Sequence, residues 1–386
     1  MKNVIPFFVL LFGMLFLGDG KSSVVDIVGA AVVVVISVLA LTKSRSARAF
    51  PLRLLWPWGA LLGYLVISVP FSVDVGASIR AVVRFIDAFL VYYMFYVHIP
   101  DPDDAFVRSL LWFGAGALIA SVIVAFVPTA KEALPSMSLL WSNAGHNHIT
   151  DVWLLLLFPV FFALHKRPPL RYLILLFIIL IFVWSQARAA LAVVVLSIAG
   201  FVMRADSSSL FGGRGRKLLL VAVVAALIIT VLLPEALRTR PATPSGAIRR
   251  KNPLSQERRA EYWGQAIAAI QKRPIFGFGP GTFPFLSNRY QSKPSNASWF
   301  AHNYVLEMAS ETGLIGTTLF LWVLYASYVR PTVYLLKQKT ISWQREALLY
   351  APLPLWLYGL VDFSLNYFVV WILLWATIGI ATRHET

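Results

Sequence analysis

The chain is expected to be an all-α integral membrane protein, and three observations lead there. Of its 386 residues, 58% are hydrophobic and only 13% are charged, where a soluble domain carries about a quarter charged residues. Mean hydropathy is correspondingly high, at +0.71. Apolar runs of near-spanning length recur from end to end, and basic residues collect in alternate connections between them, the asymmetry of a polytopic chain. Cysteine is absent, which excludes disulfides, thiolate nucleophiles and cysteine-based metal sites. The formal charge of +16 is read as largely topological, so membrane lipids and not nucleic acid are the expected partners.

A spanning helix needs roughly 20 apolar residues, within a range of about 17–25. That ruler gives about twelve spans, near 4–18, 24–42, 54–70, 82–97, 107–127, 152–164, 171–184, 189–203, 218–233, 303–328, 347–361 and 366–381. The first follows Lys2 and lacks a small-residue cleavage site, so it is read as a span and not as a removed signal peptide. With the N-terminus inside, the basic linkers 43–48, 165–167, 214–217 and 330–345 fall in the cytoplasm. Opposite them, the short loops hold only Lys21, Arg80, Arg84, Lys131 and Arg188. An N-in, C-in chain follows, with residues 1–386 as one polytopic membrane domain. The cytoplasmic run 212–217 is glycine-rich and basic, but it lacks the spacing of a P-loop and is read as a linker.

The same orientation places the long segment 234–301 outside, in the periplasm of a Gram-negative cell. It holds eleven Lys and Arg against three Glu; long loops translocate regardless of charge. A basic surface beside a bilayer attracts headgroups and phosphates at about 1 kcal/mol per Lys or Arg; a solvated basic loop is the plainer reading. Within it, about 255–271 is expected to be an amphipathic helix, with Ser255 as N-cap and Tyr262, Trp263, Ala266, Ile267 and Ile270 on one side. Pro274 ends it. Such a helix suits the membrane surface, and Arg259 and Trp263, four apart, share a face there.

Several side chains in and around this segment suit the handling of a lipid diphosphate. Guanidinium groups present a planar fork that never deprotonates, and Arg259 is the better placed of the pair Arg258 and Arg259. Arg188 stands between two short apolar runs, where a charge faces a polar cavity or an anionic partner, or else snorkels to a headgroup. Arg80 and Arg84, four apart near the outer end of a span, could add charge to the same site. His302 precedes the long apolar run 303–328; a histidine there is either an interfacial helix-start residue or a general base for a hydroxyl. Glu307 and Glu311 share a face that points largely away from His302, so they are minor candidates for orienting it and alternatively partners of arginines elsewhere. The run 276–282 is a tight turn or a backbone nest for an anion. His146, His148 and Asp151 are read as a polar rim and not as a metal site, because the two histidines lack a well-spaced third ligand.

At these residues the chain resembles the O-antigen ligase/polymerase family of membrane glycosyltransferases. The pieces that carry the resemblance are Ser185-Gln186-Ala187-Arg188, then Arg259-x3-Trp263 leading to Arg273-Pro274-Ile275-Phe276-Gly277-Phe278-Gly279. After them come His302-Asn303-x2-Leu306-Glu307 and Glu311-Thr312-Gly313-Leu314-Ile315-Gly316. One departure is Ala187, where the family usually has serine before the first arginine. The resemblance implies a GT-C-like, inverting enzyme of the bacterial inner membrane with its active site facing the periplasm and no metal or cofactor. It implies an undecaprenyl-diphosphate-linked glycan as donor and, in the ligase branch, a sugar hydroxyl of the lipid A core as acceptor. In the polymerase branch the acceptor is another lipid-linked repeat. It further implies Arg188 and Arg259 on the diphosphate and His302 as general base; Arg80, Arg84 and Arg258 are added as diphosphate-ligand candidates from their own positions. A transporter or flippase for lipid-linked sugar is the reading from another class; it too would gather arginines but has no use for a base.

Overall fold

The computed structural model describes residues 50–97, 103–126, 148–163, 188–203, 255–293, 296–338 and 341–383, with isolated positions at 7, 8, 29, 32 and 35. Among these residues every element is helical, and a bilayer favours this because a helix satisfies its own backbone groups. The first half supplies α1 (Leu52–Ser68), α2 (Val75–Val97), α3 (Asp103–Phe126), α4 (His148–Ala163) and α5 (Arg188–Met203). The polar segment supplies α6 (Ser255–Lys272) and α7 (Phe283–Tyr290). Then follow α8 (Tyr304–Leu324), α9 (Arg330–Leu335), α10 (Trp343–Tyr350), α11 (Pro352–Gly359) and α12 (Phe368–Ala381).

Two runs among the described residues are long and apolar enough to cross a membrane, Leu52–Phe71 and Tyr304–Leu335. Shorter apolar helices occupy Asp151–Ala163, Ala189–Ala199 and Phe368–Ala381. The expected spans 171–184 and 218–233 lie outside the described residues, as do nearly all of 4–18 and 24–42. An all-helical membrane protein is what the described part supports.

At the centre lies α12, apolar all round and with all 14 of its residues buried, as expected of a helix with no polar face. It packs on α2 and α1 through aromatic edges. The Trp58 and Trp375 rings lie 4.7 Å apart at 67°, and Phe85 meets Trp371 at 5.5 Å and 79°, the tilted geometry that aromatic quadrupoles favour. Buried Trp58 gives its indole N–H to the Ser327 hydroxyl at 3.1 Å, in the π-helical turn Tyr325–Val329 that joins α8 to α9.

Three elements differ from the hydropathy reading, each for a local reason. Helix α2 starts at Val75, seven residues before the apolar run 82–97, because the Asp74 carboxylate caps it by accepting the Ala77 N–H at 2.7 Å. Arg80 and Arg84 are therefore inside the helix. The run 347–361 is split into α10 and α11 at Pro352, which has no N–H to continue a ladder.

The third is the run 303–328, which is broken at Gly313 (φ 63°, ψ −172°). The loop after α6 closes on the break. Glu311 O accepts N–H groups from Phe278 (2.9 Å) and Gly279 (2.7 Å), while Leu314 N–H reaches Pro274 O at 2.8 Å. The Tyr64 hydroxyl takes up Thr312 O at 2.7 Å. Irregular backbone at membrane depth is tolerated where protein supplies its partners in this way. Two glycines make the approach possible: a Cβ on Gly313 would overlap the Ile275 carbonyl, and one on Gly277 (φ 68°) would overlap the Glu311 carbonyl.

Candidate active site

Helix α6 places Arg259, Tyr262 and Trp263 on one side, at i, i+3 and i+4. That side meets the start of α8. Asn303 is the N-cap there, its side-chain oxygen accepting the Leu306 N–H at 3.0 Å. His302, one residue before, has φ 55°, a left-handed conformation uncommon for a residue with a Cβ. Neighbours hold it on every side. The Trp263 indole N–H donates to His302 O at 3.3 Å. The Ala301 N–H donates to the Glu307 carboxylate at 2.7 Å. The imidazole lies against the Tyr262 ring (centroids 5.3 Å apart, 20°) and meets Phe363 edge-on at 4.6 Å and 81°.

Phe363 also brings Arg259 in. Its neighbour Asp362 is fully buried and accepts from the Arg259 guanidinium at 2.9 Å, with Arg259 26% exposed. The other Asp362 oxygen accepts the Phe363 N–H at 2.7 Å. Beside them the buried Asp151 carboxylate accepts the Ser364 hydroxyl at 2.6 Å. Arg259 and His302 thus meet the same short turn, with Asp362 engaging one of the guanidinium's five donors. Arg258, the next residue back, is exposed.

A cavity of about 740 Å³ adjoins this cluster. Arg80, Arg84, Asp87, Phe300, Glu307 and Asn366 are among its walls. Arg84 donates to the Leu365 carbonyl and to the Asn366 side-chain oxygen at 3.4 Å, and its guanidinium lies 5.1 Å from the Trp371 ring. Asp87 is wholly buried, and neither of its oxygens has a hydrogen-bond partner among the described residues. His302 and Arg259 do not line the cavity. They adjoin it through Phe300, whose ring stacks on Phe363 at 4.9 Å and 12°.

The glycine-rich run 276–282 is a nest whose anion is the protein's own. The Glu311 carboxylate accepts the Gly281 and Phe283 N–H groups, each at 2.8 Å. Arg188 opens α5; its side chain, like those of His146 and His148, lies outside the described residues. Among the described residues no three His, Asp or Glu side chains gather closely enough to hold a metal ion.

Residues 172–321 match the O-antigen ligase family. The stretch contains Arg188, Arg259 and His302 and ends within α8, so it takes in the break at Gly313 and the loop that closes on it. No curated protein matches the chain. The match supports an enzyme of the O-antigen ligase or polymerase kind.

Sequence reasoning passed over Asp362. The signal open to it was a lone carboxylate in the short gap between spans 347–361 and 366–381, on the side where the arginines were expected. Glu307 and Glu311 were noticed through their spacing, but their partners are mainly backbone N–H groups, which no side-chain pattern reveals.

Proposed function

We propose that the protein is an O-antigen ligase. It transfers a glycan from undecaprenyl diphosphate to a sugar hydroxyl of the lipid A core, on the periplasmic face of the inner membrane, with inversion and without a metal ion. The observation that supports this best is the convergence of Arg259 and His302, both in the stretch that matches the O-antigen ligase family, on the Asp362–Phe363 turn. In this reading the His302 imidazole takes the proton of the acceptor hydroxyl. The resulting oxygen attacks the anomeric carbon, the bond to the diphosphate oxygen breaks, and the leaving diphosphate carries off the electron pair. Arg188 and Arg259, with Arg80, Arg84 and Arg258, bind the diphosphate and stabilise the charge that grows on it. Such stabilisation is often the largest catalytic contribution, and a positioned base adds about 10²–10⁴-fold. The setting is a GT-C-like chain of twelve spans, N-in and C-in, with 234–301 forming the periplasmic segment of a single domain.

The deciding experiment reconstitutes the purified protein in vesicles with undecaprenyl-diphosphate-linked glycan and two acceptors, lipid A core and a second lipid-linked repeat. Transfer to the core is the expected result, undiminished in chelator. Transfer to the second repeat alone would make the protein a polymerase, and movement of the donor across the bilayer without transfer would make it a transporter. Activity lost in chelator and restored by a divalent ion would overturn the metal-free step.

A further inference from the structure

We propose that Glu307 is a positioning residue that couples the backbone of His302 to the cavity arginine Arg84. This rests on the reading of His302 as general base. Glu307 is 6% exposed in the first turn of α8, and its two oxygens serve two different neighbours. One accepts the Ala301 N–H at 2.7 Å, fixing the peptide that leads into the left-handed His302. The other accepts the Asn366 side-chain N–H at 2.7 Å. With its amide nitrogen turned to Glu307, Asn366 presents its oxygen to Arg84 at 3.4 Å.

The polarity of this chain is set at one point. Both Glu307 oxygens accept, one from the Ala301 N–H and the other from the Asn366 amide nitrogen, so the Asn366 oxygen is left to Arg84 as an acceptor and not a donor. Both ends bear on the reaction. Ala301 and His302 govern where the base sits; Arg84 governs how an anion is met in the cavity. Buried hydrogen-bond chains of this sort favour a single arrangement.

The two ends predict a split in the kinetics. Glu307→Ala loses both ties, so kcat falls at least about tenfold and the KM for the lipid-linked donor rises. Glu307→Gln keeps an oxygen for the Ala301 N–H, and its kcat returns to within about threefold of the parent. Its amide nitrogen faces that of Asn366, which turns round and sets an N–H against Arg84, so the donor KM stays raised. Asn366→Ala raises the donor KM and leaves kcat within about threefold.

The assay uses the full-length protein in vesicles with undecaprenyl-diphosphate-linked glycan and lipid A core. The melting temperature of each variant is measured in parallel. Should Glu307→Ala fail to fold, the Glu307→Gln and Asn366→Ala pair still decides the matter. The inference is overturned if Glu307→Gln is as slow as Glu307→Ala, or if Asn366→Ala leaves the donor KM unchanged. His302→Ala in the same assay keeps the two ideas apart. Full activity there sinks the base reading whatever Glu307 does, whereas a dead His302→Ala with no kcat and KM split at Glu307 sinks this inference alone.

Discussion

A histidine held at φ 55° stores about 1–3 kcal/mol of backbone strain, and His302 keeps that conformation because Trp263, Glu307, Tyr262 and Phe363 all hold it. His302→Gly should therefore keep a melting temperature close to the parent's, because glycine adopts this region freely and the relieved strain offsets the lost ring contacts, and yet transfer should fall about 10²–10⁴-fold. Melting temperature and transfer rate measured on the same preparation check both halves. Arg259 calls for a different design, because removing it takes the ion-pair partner from the fully buried Asp362, at a cost of about 3–5 kcal/mol. Arg259→Ala is expected to be poorly folded. The double variant with Asp362→Asn should regain most of the melting temperature and remain at least about tenfold slower in transfer. Recovery of activity along with stability would reduce Arg259 to a structural partner. Arg259 and His302 stand out in the sequence because residue type and a polar setting coincide at each and the family resemblance singles out the same two. Asp362 does not, because one acid in a short gap has no local pattern and its meaning comes from a partner 103 positions away.

At the scale of elements, the break in α8 does most to shape the site. It lets Glu311 offer its carbonyl to Phe278 and Gly279 and its carboxylate to Gly281 and Phe283, which seats the α6–α7 loop on the membrane helix. Gly313→Ala should destabilise by about 1–2 kcal/mol from the left-handed backbone, with more from overlap with Ile275. A melting temperature equal to the parent's would mean the break is not built as described. Hydropathy could not reveal it, since glycine is common in membrane helices and the run 303–328 is apolar on both sides of Gly313. The helix at 255–271 was easier to see, with Ser255 and Pro274 marking its ends; it runs Ser255–Lys272. In the polar segment, the Ser292 N–H at 2.8 Å holds the Glu261 carboxyl below its ordinary range. That tie contributes above the ordinary carboxylate range and is lost as pH falls through the depressed value. The protection of the Ser292 amide, its exchange rate relative to that of an unfolded chain at the same pH, should thus fall only under acid, a loss absent in Glu261→Gln.

On the scale of the whole molecule, composition and mean hydropathy were enough for an all-helical membrane protein, because the bilayer leaves a chain this apolar few alternatives. Span count and orientation depend on residues beyond the described ones, and the orientation is open to a direct check. The chain has no cysteine, so each introduced cysteine is the sole thiol. In intact spheroplasts, Lys272→Cys should react with a membrane-impermeant maleimide, while Ser46→Cys and Gln338→Cys should react only after permeabilisation. Reaction of Lys272→Cys and Gln338→Cys from the same side would refute the N-in, C-in arrangement. The central claim is that an imidazole beside a bound lipid diphosphate takes the acceptor's proton. It is tested most directly by comparing the parent with His302→Ala in vesicles holding undecaprenyl-diphosphate-linked glycan and lipid A core, with transfer and donor binding read from the same samples. The account predicts donor binding like the parent's and transfer reduced at least about 10²-fold; transfer at the parent's rate would contradict it.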